Sequence, residues 1–545
     1  KLRLKRIDSY NADDNNSKKL MRSYHLQYQP LAPSPRVQDA LLTRLETIEE
    51  CIDTSGFQCM PATTFDWGET QPIGDQAEQF AYSHKLVEQD QSVSAYTLLD
   101  FNGDGLKDVA WMRAFVGGGN DIDQKFHYAK NTGTDFSSMY FAASNVNPES
   151  SSCGSSSNPS CYRTGDGPDS NGSYDFYVVD YNADGRDDLI RFREKNKSWQ
   201  LFLSTPQTDG SWKLKWRTDI VLPFNSLGDI VFGDINSDGL VDAIQYDDYE
   251  DEANVSIAPA PVMQVYMLER NNNPETSDTA YSFLLDASYT VPLPRNTSGP
   301  LADQVFSTVQ DLRIADLNGD GRAELLGSTT RRNGCIFLPP PIGNGLTCTS
   351  QESDIIALTF NGSSLTVADL AEDVIVSVYD SDAETHRDNF TQGDINGDGL
   401  LDIVYQERGS NHKMLALNQG DFSFNHQLLG NGSNINYKTN SLALVDLNSD
   451  GYSDLVWHDK DANQRRISYW QPPQGSATVG AFSSSLQTFA ANDDFYYSYQ
   501  NIDGDAALEL VMLKHQPGID KYASVYELHT LPDGHNSIDT ITNGL

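Results

Sequence analysis

The 545-residue chain is poor in positive charge: 38 Lys and Arg stand against 77 Asp and Glu, for a formal net charge of −39. Phosphate backbones need a basic face, so nucleic acid is excluded as the expected partner, and an anionic membrane surface with it. No run of 18 or more apolar residues occurs, so no direct membrane insertion by a helix is expected. No signal-peptide pattern is visible. The chain opens at Lys1 without Met, in the alternating stretch Lys1-Leu2-Arg3-Leu4-Lys5-Arg6-Ile7, which reads as a strand cut from a longer protein. Helical periodicity is scarce, with one expected turn over Gln38 to Thr47.

Catalytic signatures are equally sparse. The ten His are scattered and no Gly-x-Ser-x-Gly elbow appears. Glu250-Asp251-Glu252 lies in an acidic run from Asp247 and reads as a solvated loop. A carboxylate pair suited to glycoside hydrolysis does not stand out among so many acids. The chain is therefore expected not to be an enzyme, with no catalytic residues and no organic cofactor. An extracellular hydrolase is the least favoured alternative.

Cysteine is limited to three local pairs, Cys51/Cys59, Cys153/Cys161 and Cys335/Cys348. No CxxC occurs and no His clusters with them, so zinc is disfavoured. Three short-loop disulfides are expected, and with them an oxidising compartment: secretion, or display at the cell surface.

What the chain does have is a repeat. The pattern D-x-N-x-D-G-x-x-[DE] occurs seven times, the last copy degenerate, with starts separated by 80, 54, 82, 78, 52 and 55 residues. Position 1 is Asp100, Asp180, Asp234, Asp316, Asp394, Asp446 and Asn501. Position 3 is Asn102, Asn182, Asn236, Asn318, Asn396, Asn448 and Asp503. Position 5 is Asp104, Asp184, Asp238, Asp320, Asp398, Asp450 and Asp505. Position 9 is Asp108, Asp188, Asp242, Glu324, Asp402, Asp454 and Glu509. Position 6 is Gly in six copies and Ala506 in the seventh, where a Cβ would hinder a tight bend.

Alternating oxygen donors on a tight turn suit a hard cation that takes six to eight oxygens at about 2.3–2.6 Å. The carbonyls at position 7 (Leu106, Arg186, Leu240, Arg322, Leu400, Tyr452 and Ala507) add a further donor. The closing acid stands at position 9 rather than 12, and a strand follows rather than a helix, unlike an EF-hand. Several carboxylates on a flexible loop favour Ca²⁺ over Mg²⁺. Up to seven Ca²⁺ are expected; they add fourteen positive charges and bring −39 to −25.

Short β-branched and aromatic runs flank the loops, such as Tyr96–Leu99 and Val109–Trp111, or Leu442–Val445 and Leu455–Trp457. A third run often follows, as in Met414–Leu417 and Ile467–Trp470. Long copies carry insertions, among them the Cys153/Cys161 stretch, the Cys335/Cys348 stretch and Ala258-Pro259-Ala260-Pro261. A unit of 50 to 60 residues with three or four strands has the size of a propeller blade. The expected fold is all-β: a seven-bladed β-propeller over residues 76–545 behind a β-rich segment over 1–75. Six blades with a stray unit, or an open β-solenoid, remain as alternatives.

The loops in their strand context, as in Val231-Phe232-Gly233-Asp234, resemble the FG-GAP (VCBS-type) repeats of integrin α-subunit propellers. The front segment is similar to the region before the propeller in SpvB-type proteins, B components of Tc toxins and Rhs-repeat proteins. The residues that carry this are Arg22-Ser23-Tyr24-His25-Leu26-Gln27-Tyr28, Leu45 to Cys51, and Cys59-Met60-Pro61 to Trp67. The resemblance implies a shell segment, a secreted toxin-like parent and a toxin subunit or other protein as partner. The Tyr-Asp-x-x-Gly-Arg repeat of the Rhs shell is absent from these residues. A surface adhesin or glycan-binding module is the alternative, with Tyr246 and Tyr249 as sugar-stacking candidates.

Overall fold

The computed structural model describes residues 4–12, 18–28, 45–52, 59–67, 79–85, 93–113, 126–132, 140–141, 176–193, 198–208, 212–225, 229–246, 262–271, 281–292, 305–333, 336–338, 345–347, 350–360, 364–372, 374–375, 377–380, 385–388, 390–408, 413–429, 440–447, 451–459, 464–472, 480–482, 487–490, 495–500, 508–514, 523–529 and 538–543. Among these the chain is all-β, built of antiparallel sheets with no helix. None of it forms a helix long and apolar enough to cross a membrane. The expected turn over Gln38 to Thr47 is corrected at its end, since Leu45–Cys51 is a strand. Pairing with Lys18–Tyr28 on one side and Thr63–Trp67 on the other overrides the weak local helical pattern.

Seven sheets repeat one order. Each runs through three consecutive strands, and each places a repeat loop between its first and second strand. Sheet 1 has Val93–Leu99, Asp108–Arg113, Phe126–Ala129 and Tyr140–Phe141. Sheet 2 has Phe176–Val179, Asp188–Arg193, Ser198–Pro206 and Trp212–Trp216. Sheet 3 has Asp229–Gly233, Asp242–Tyr246, Val262–Arg270 and Tyr281–Thr290. Sheet 4 has Val305–Ala315, Glu324–Asn333, Ser350–Phe360 and Leu365–Ala371.

Sheet 5 has Thr391–Gly393, Asp402–Glu407, Lys413–Asn418 and Phe424–Leu428, with Val374–Ile375 also on its second strand. Sheet 6 has Asn440–Val445, Asp454–Asp459, Gln464–Ser468 and Gln487–Ala490. Sheet 7 has Phe495–Gln500, Glu509–Lys514 and Ala523–His529. Its fourth strand is Gln79–Lys85, from ahead of sheet 1.

Successive sheets pack face to face. Leu99, Phe101 and Ala110 of sheet 1 meet Leu189 and Phe202 of sheet 2. Val179, Ile190 and Leu201 meet Ala243, Tyr266 and Phe283 of sheet 3. Ile244 and Val265 meet Leu325 and Ile356 of sheet 4. Leu326 and Ala357 meet Ile403 and Ala416 of sheet 5, and Val404 and Leu415 meet Leu455 and Trp457 of sheet 6. Second strands are therefore buried on both faces. Every residue of Asp242–Tyr246 is buried, which is why apolar residues occupy adjacent positions such as Ala243-Ile244 instead of strictly alternating.

Gly233 and Gly393, one residue ahead of their loops, lie against the next sheet. A Cβ there would come within 2.6 Å of Ile314 Cδ1 and 2.7 Å of Leu444 Cβ. Tyr246 is part of this core, 5% exposed, and its hydroxyl accepts the Leu312 N–H at 3.4 Å. It is therefore not open to stack on sugar; Tyr249 lies outside the described residues.

A further sheet joins Arg6–Ala12, Lys18–Tyr28, Leu45–Cys51, Thr63–Trp67 and Ile538–Asn543. Its last strand comes from the far end of the chain and pairs with Thr63–Trp67. Cys51 and Cys59 are joined by a disulfide. Cys153, Cys161, Cys335 and Cys348 lie outside the described residues. Within the Cys335/Cys348 insertion, Ile336–Leu338 and Gly345–Thr347 pair as a hairpin.

A buried lysine lies outside the repeat. Lys413, 5% exposed, points to the strand face that carries Leu415, and its Nζ donates to Gln406 Oε1 at 2.9 Å. Burial pushes its pKa down to about 8. A depressed lysine contributes stability above its unfolded pKa near 10.4, and that contribution is lost as pH falls through about 8. Lys413→Met is therefore expected to stabilise at pH 7 by roughly 2 kcal/mol, after allowing for the lost Gln406 hydrogen bond. Melting curves should show a gain of a few degrees at pH 7 that shrinks toward pH 10. A loss at pH 7 would mean that the ammonium is held by more than Gln406.

Candidate metal centres

Numbered in chain order, the repeat loops form turns in which each side-chain oxygen is aimed by the backbone. The position-1 acid caps the turn. In loop 1, Gly103 N–H donates to Asp100 Oδ1 at 2.7 Å and Gly105 N–H to Oδ2 at 2.8 Å. The bond from position 6 recurs at Asp180, Asp234, Asp316, Asp394 and Asp446, at 2.8–2.9 Å. Position 6 takes φ between 80° and 87° in all six of these loops, a backbone conformation that favours Gly. Position 3 in loops 1, 3, 4 and 5 and position 5 in loops 1 to 5 accept the amide two residues on, as in Asp398 N–H to Asn396 Oδ1 at 2.9 Å and Leu400 N–H to Asp398 Oδ1 at 2.9 Å. These are Asx turns, which tie down the acid without using all its lone pairs.

The position-9 acid is the buried member. Asp108, Asp188, Asp242, Asp402 and Asp454 are fully buried and Glu324 nearly so. One carboxylate oxygen accepts the amide of position 2: Tyr181, Ile235, Leu317, Ile395 and Leu447 donate at 2.9–3.3 Å. The other accepts an amide at the end of the third strand, from Asn131, Ser204, Leu268, Asn418 or Trp470, at 2.7–2.9 Å. The acid thus fastens the loop to two strands of its own sheet.

The repeat itself does not announce these third-strand donors. Their trace is a spacing of 16 residues beyond position 9 in loops 2, 5 and 6. Three of them also hold the position-8 carbonyl through a side chain. Asn131 Nδ2 reaches Lys107 O, Ser204 Oγ reaches Asp187 O and Asn418 Nδ2 reaches Leu401 O.

Burial pushes Asp108 up to about 7, and the neighbouring Asp104 and Asp100 carboxylates raise it further against the Asn131 amide. Asp402 is pushed up to about 7 by burial, reinforced by Asp398 and Asp394. Asp188, Asp242 and Glu324 move upward for the same two reasons. In loops 2 to 5 the groups that set this shift include no positive charge, and in loop 1 Lys130 offsets it only in part. In loops 1 and 2 a base sits on the position-5 acid instead, Lys130 on Asp104 at 3.0 Å and Arg186 on Asp184.

The donor set suits a hard cation. Asn182 Oδ1, at position 3 of loop 2, is buried and accepts no hydrogen bond. Positions 3 and 9 face each other in loops 1 and 4, where Asn102 Nδ2 meets Asp108 Oδ2 at 3.0 Å and Asn318 Nδ2 meets Glu324 Oε1 at 3.2 Å. Among the described residues, no three acids of one loop bring their oxygens within 4.8 Å of one another. Donors on opposite sides of an ion bound at about 2.3–2.6 Å lie about 5 Å apart, and amide and backbone oxygens fill the shell between them. Among the described residues the one compact grouping is Glu49 with Cys51 and Cys59, and those two sulfurs are joined to each other.

Of the expected ligands, those of loops 1 to 5 are all placed on such turns. In loop 6, Asn448 and Asp450 lie outside the described residues, as do Asn501, Asp503, Asp505 and Ala507 of loop 7.

A family model described as an FG-GAP-like repeat matches residues 180–244 and 394–457, the segments that hold loops 2 and 3 and loops 5 and 6. No curated protein matches the chain. Among solved structures, TcdB2-TccC3 aligns at 11% identity over 94% of this chain and 22% of that one, with a TM-score of 0.25. The chain thus spans about a fifth of that protein's length. Rhamnogalacturonan lyase YesW aligns at 10% identity over 94% and 86%, with a TM-score of 0.26. The β-fructofuranosidase of Schwanniomyces occidentalis aligns at 8% over 83% and 98%, with a TM-score of 0.28. These scores are low, and the propeller-like architecture rests on the chain's own strand pairing.

Proposed function

We propose that this chain is a calcium-braced, seven-bladed β-propeller serving as a non-catalytic scaffold or docking module of a secreted, toxin-type protein. The observation that carries the brace is the position-9 acid, buried in six loops and, in loops 2, 3, 5 and 6, tied both to its own loop and to the third strand of its sheet. Asp100, Asn102, Asp104, the Leu106 carbonyl and Asp108 would hold the ion in loop 1, and the equivalent residues would do so in the others. A bound Ca²⁺ supplies the positive charge that the buried carboxylates lack. The chain's own residues do the rest, aiming oxygens by Asx turns and excluding water from position 9.

Seven sheets of one order support seven blades, and Gln79–Lys85 completing sheet 7 supports a ring closed by its two ends. Radial repetition of this kind leaves only short edges exposed. The front sheet, completed by Ile538–Asn543, would be the point where the propeller joins a shell, residues 1–75 forming its near side. Resemblance of that segment to SpvB-type and Tc-toxin B proteins supports the toxin context and a protein partner. The acidic surface and expected disulfides support an extracellular setting.

Calcium counted per chain after gel filtration in buffer of known free calcium tests the brace. About seven ions are expected, in line with the extracellular class of oxygen-ligand sites. One or none would overturn the brace. A panel of polysaccharide and ester substrates should give no calcium-dependent turnover, and turnover would overturn the non-catalytic assignment.

A further inference from the structure

The loops touch one another in a fixed order. Between loops 1 and 2, the Asp187 N–H donates to the Asp100 carbonyl at 2.9 Å, and the Asp100 N–H donates to Asp187 Oδ2 at 2.6 Å. Lys107 Nζ reaches the same Oδ2 at 2.7 Å. Between loops 5 and 6 the backbone bond recurs, Ser453 N–H to the Asp394 carbonyl at 2.8 Å. Asp187 and Ser453 are both position 8 of the later loop. Asp100 and Asp394 are both position 1 of the earlier one.

A second contact joins position 4 of one loop to positions 6 and 7 of the next. A Cβ on Gly103 would meet Arg186 Cγ at 2.9 Å, one on Gly319 would meet Leu400 Cδ2 at 3.0 Å, and one on Gly397 would meet Tyr452 Cε1 at 3.0 Å. In loop 3 that position is Ser237, whose Oγ donates to the Gly321 carbonyl of loop 4 at 2.7 Å. A third link comes from Asn418. Its N–H holds Asp402 of loop 5, and its Nδ2 donates to the Leu317 carbonyl of loop 4 at 2.7 Å.

These contacts fall on backbone that an ion would immobilise. Position 7, whose carbonyl would be a ligand, rests its side chain on the preceding loop in loops 2, 5 and 6. Position 8 hydrogen-bonds the residue that carries the preceding loop's first ligand. We infer that neighbouring loops load calcium cooperatively, an ion in one loop pre-organising the loop before it along the run from loop 3 to loop 6 and within the pair of loops 1 and 2. The inference rests on the loops being calcium sites. Ordering done by the first ion need not be repeated for the second, and the linkage acts equally in both directions.

Equilibrium dialysis of the full chain against radioactive calcium tests it. Independent sites of unequal affinity give a Hill slope at or below one, so a slope above one is expected for the wild type. Asp398→Asn removes the negative charge of one ligand of loop 5, weakening that site, and is expected to weaken binding in loops 4 and 6 about fivefold or more, so that more than one ion is lost at sub-saturating calcium. Ser237→Gly removes only the link between loops 3 and 4 and suits the φ of 61° at that residue. It is expected to keep the full number of ions with a flatter curve. A wild-type slope of one or less, with a single ion lost in Asp398→Asn, would overturn the coupling and leave the calcium sites standing. No calcium bound by the wild type would remove both. Circular dichroism checks the β content of the variants, and if Asp398→Asn does not fold, the slope of Ser237→Gly decides.

Discussion

EDTA is expected to lower the melting temperature of this protein by about 10 °C or more, and to lower it further at pH 8 than at pH 5. A site held at a hundred times its dissociation constant contributes about 2.7 kcal/mol, so seven contribute on the order of 19 kcal/mol. Even with the smaller shift per kcal/mol of a large chain, that is a displacement well outside error. The pH dependence follows from the position-9 acids. Without metal, Asp108 and Asp402 are pushed up to about 7, so the folded state binds more protons than the unfolded state between about pH 4 and pH 7. Stability from such groups is complete below the unfolded pKa and is lost as pH rises through about 7. The metal-free protein should therefore melt lower at pH 8 than at pH 5, while calcium, taking the place of the proton, removes that slope. Superimposed melting curves with calcium and with EDTA at pH 8 would end the metal assignment.

Asp402→Ala is expected to be the most damaging single substitution in the loops. Asp402 is fully buried, and its two oxygens accept the Ile395 and Asn418 amides at 3.0 and 2.8 Å. Leaving two buried donors without an acceptor costs about 1–3 kcal/mol each, whether or not calcium is present. In calcium the variant also loses a ligand, which adds about 2.7 kcal/mol. The deficit in melting temperature should accordingly be larger in calcium than in EDTA. Equal deficits in both would assign Asp402 to hydrogen bonding alone. Asp421→Ala, at an exposed acid that binds only its own turn through Ser423, serves as the control and should change little.

The loops could be read so well because their chemistry is local. Asp, Asn and Gly at fixed offsets dictate an Asx-turn backbone with little help from elsewhere, and loops 1 to 5 adopt it wherever the pattern is intact. The flanking runs were equally legible: Leu189–Phe192 and Ile403–Tyr405 fall inside their strands. Ile467–Trp470 instead breaks after Ser468, because Trp470 leaves the sheet to pair with Phe482. Tyr246 misled because an aromatic beside an acidic run resembles a surface residue, whereas its place on a second strand puts it between two sheets. Asn131, Ser204 and Asn418 stayed hidden because their task is to meet a carboxylate of another strand, and no local signal encodes that meeting.

From residues alone came the period, the oxygen-lined turn, the all-β character and the excess of negative charge, each a property of neighbours along the chain. Strand partners from opposite ends of the chain were decided only in three dimensions: Gln79–Lys85 beside Ala523–His529, and Thr63–Trp67 beside Ile538–Asn543. So was the depth at which each ninth-position carboxylate lies. Such pairing depends on which faces remain uncovered after every sheet has stacked on the one before it, a sum over long-range contacts that no short stretch of sequence carries.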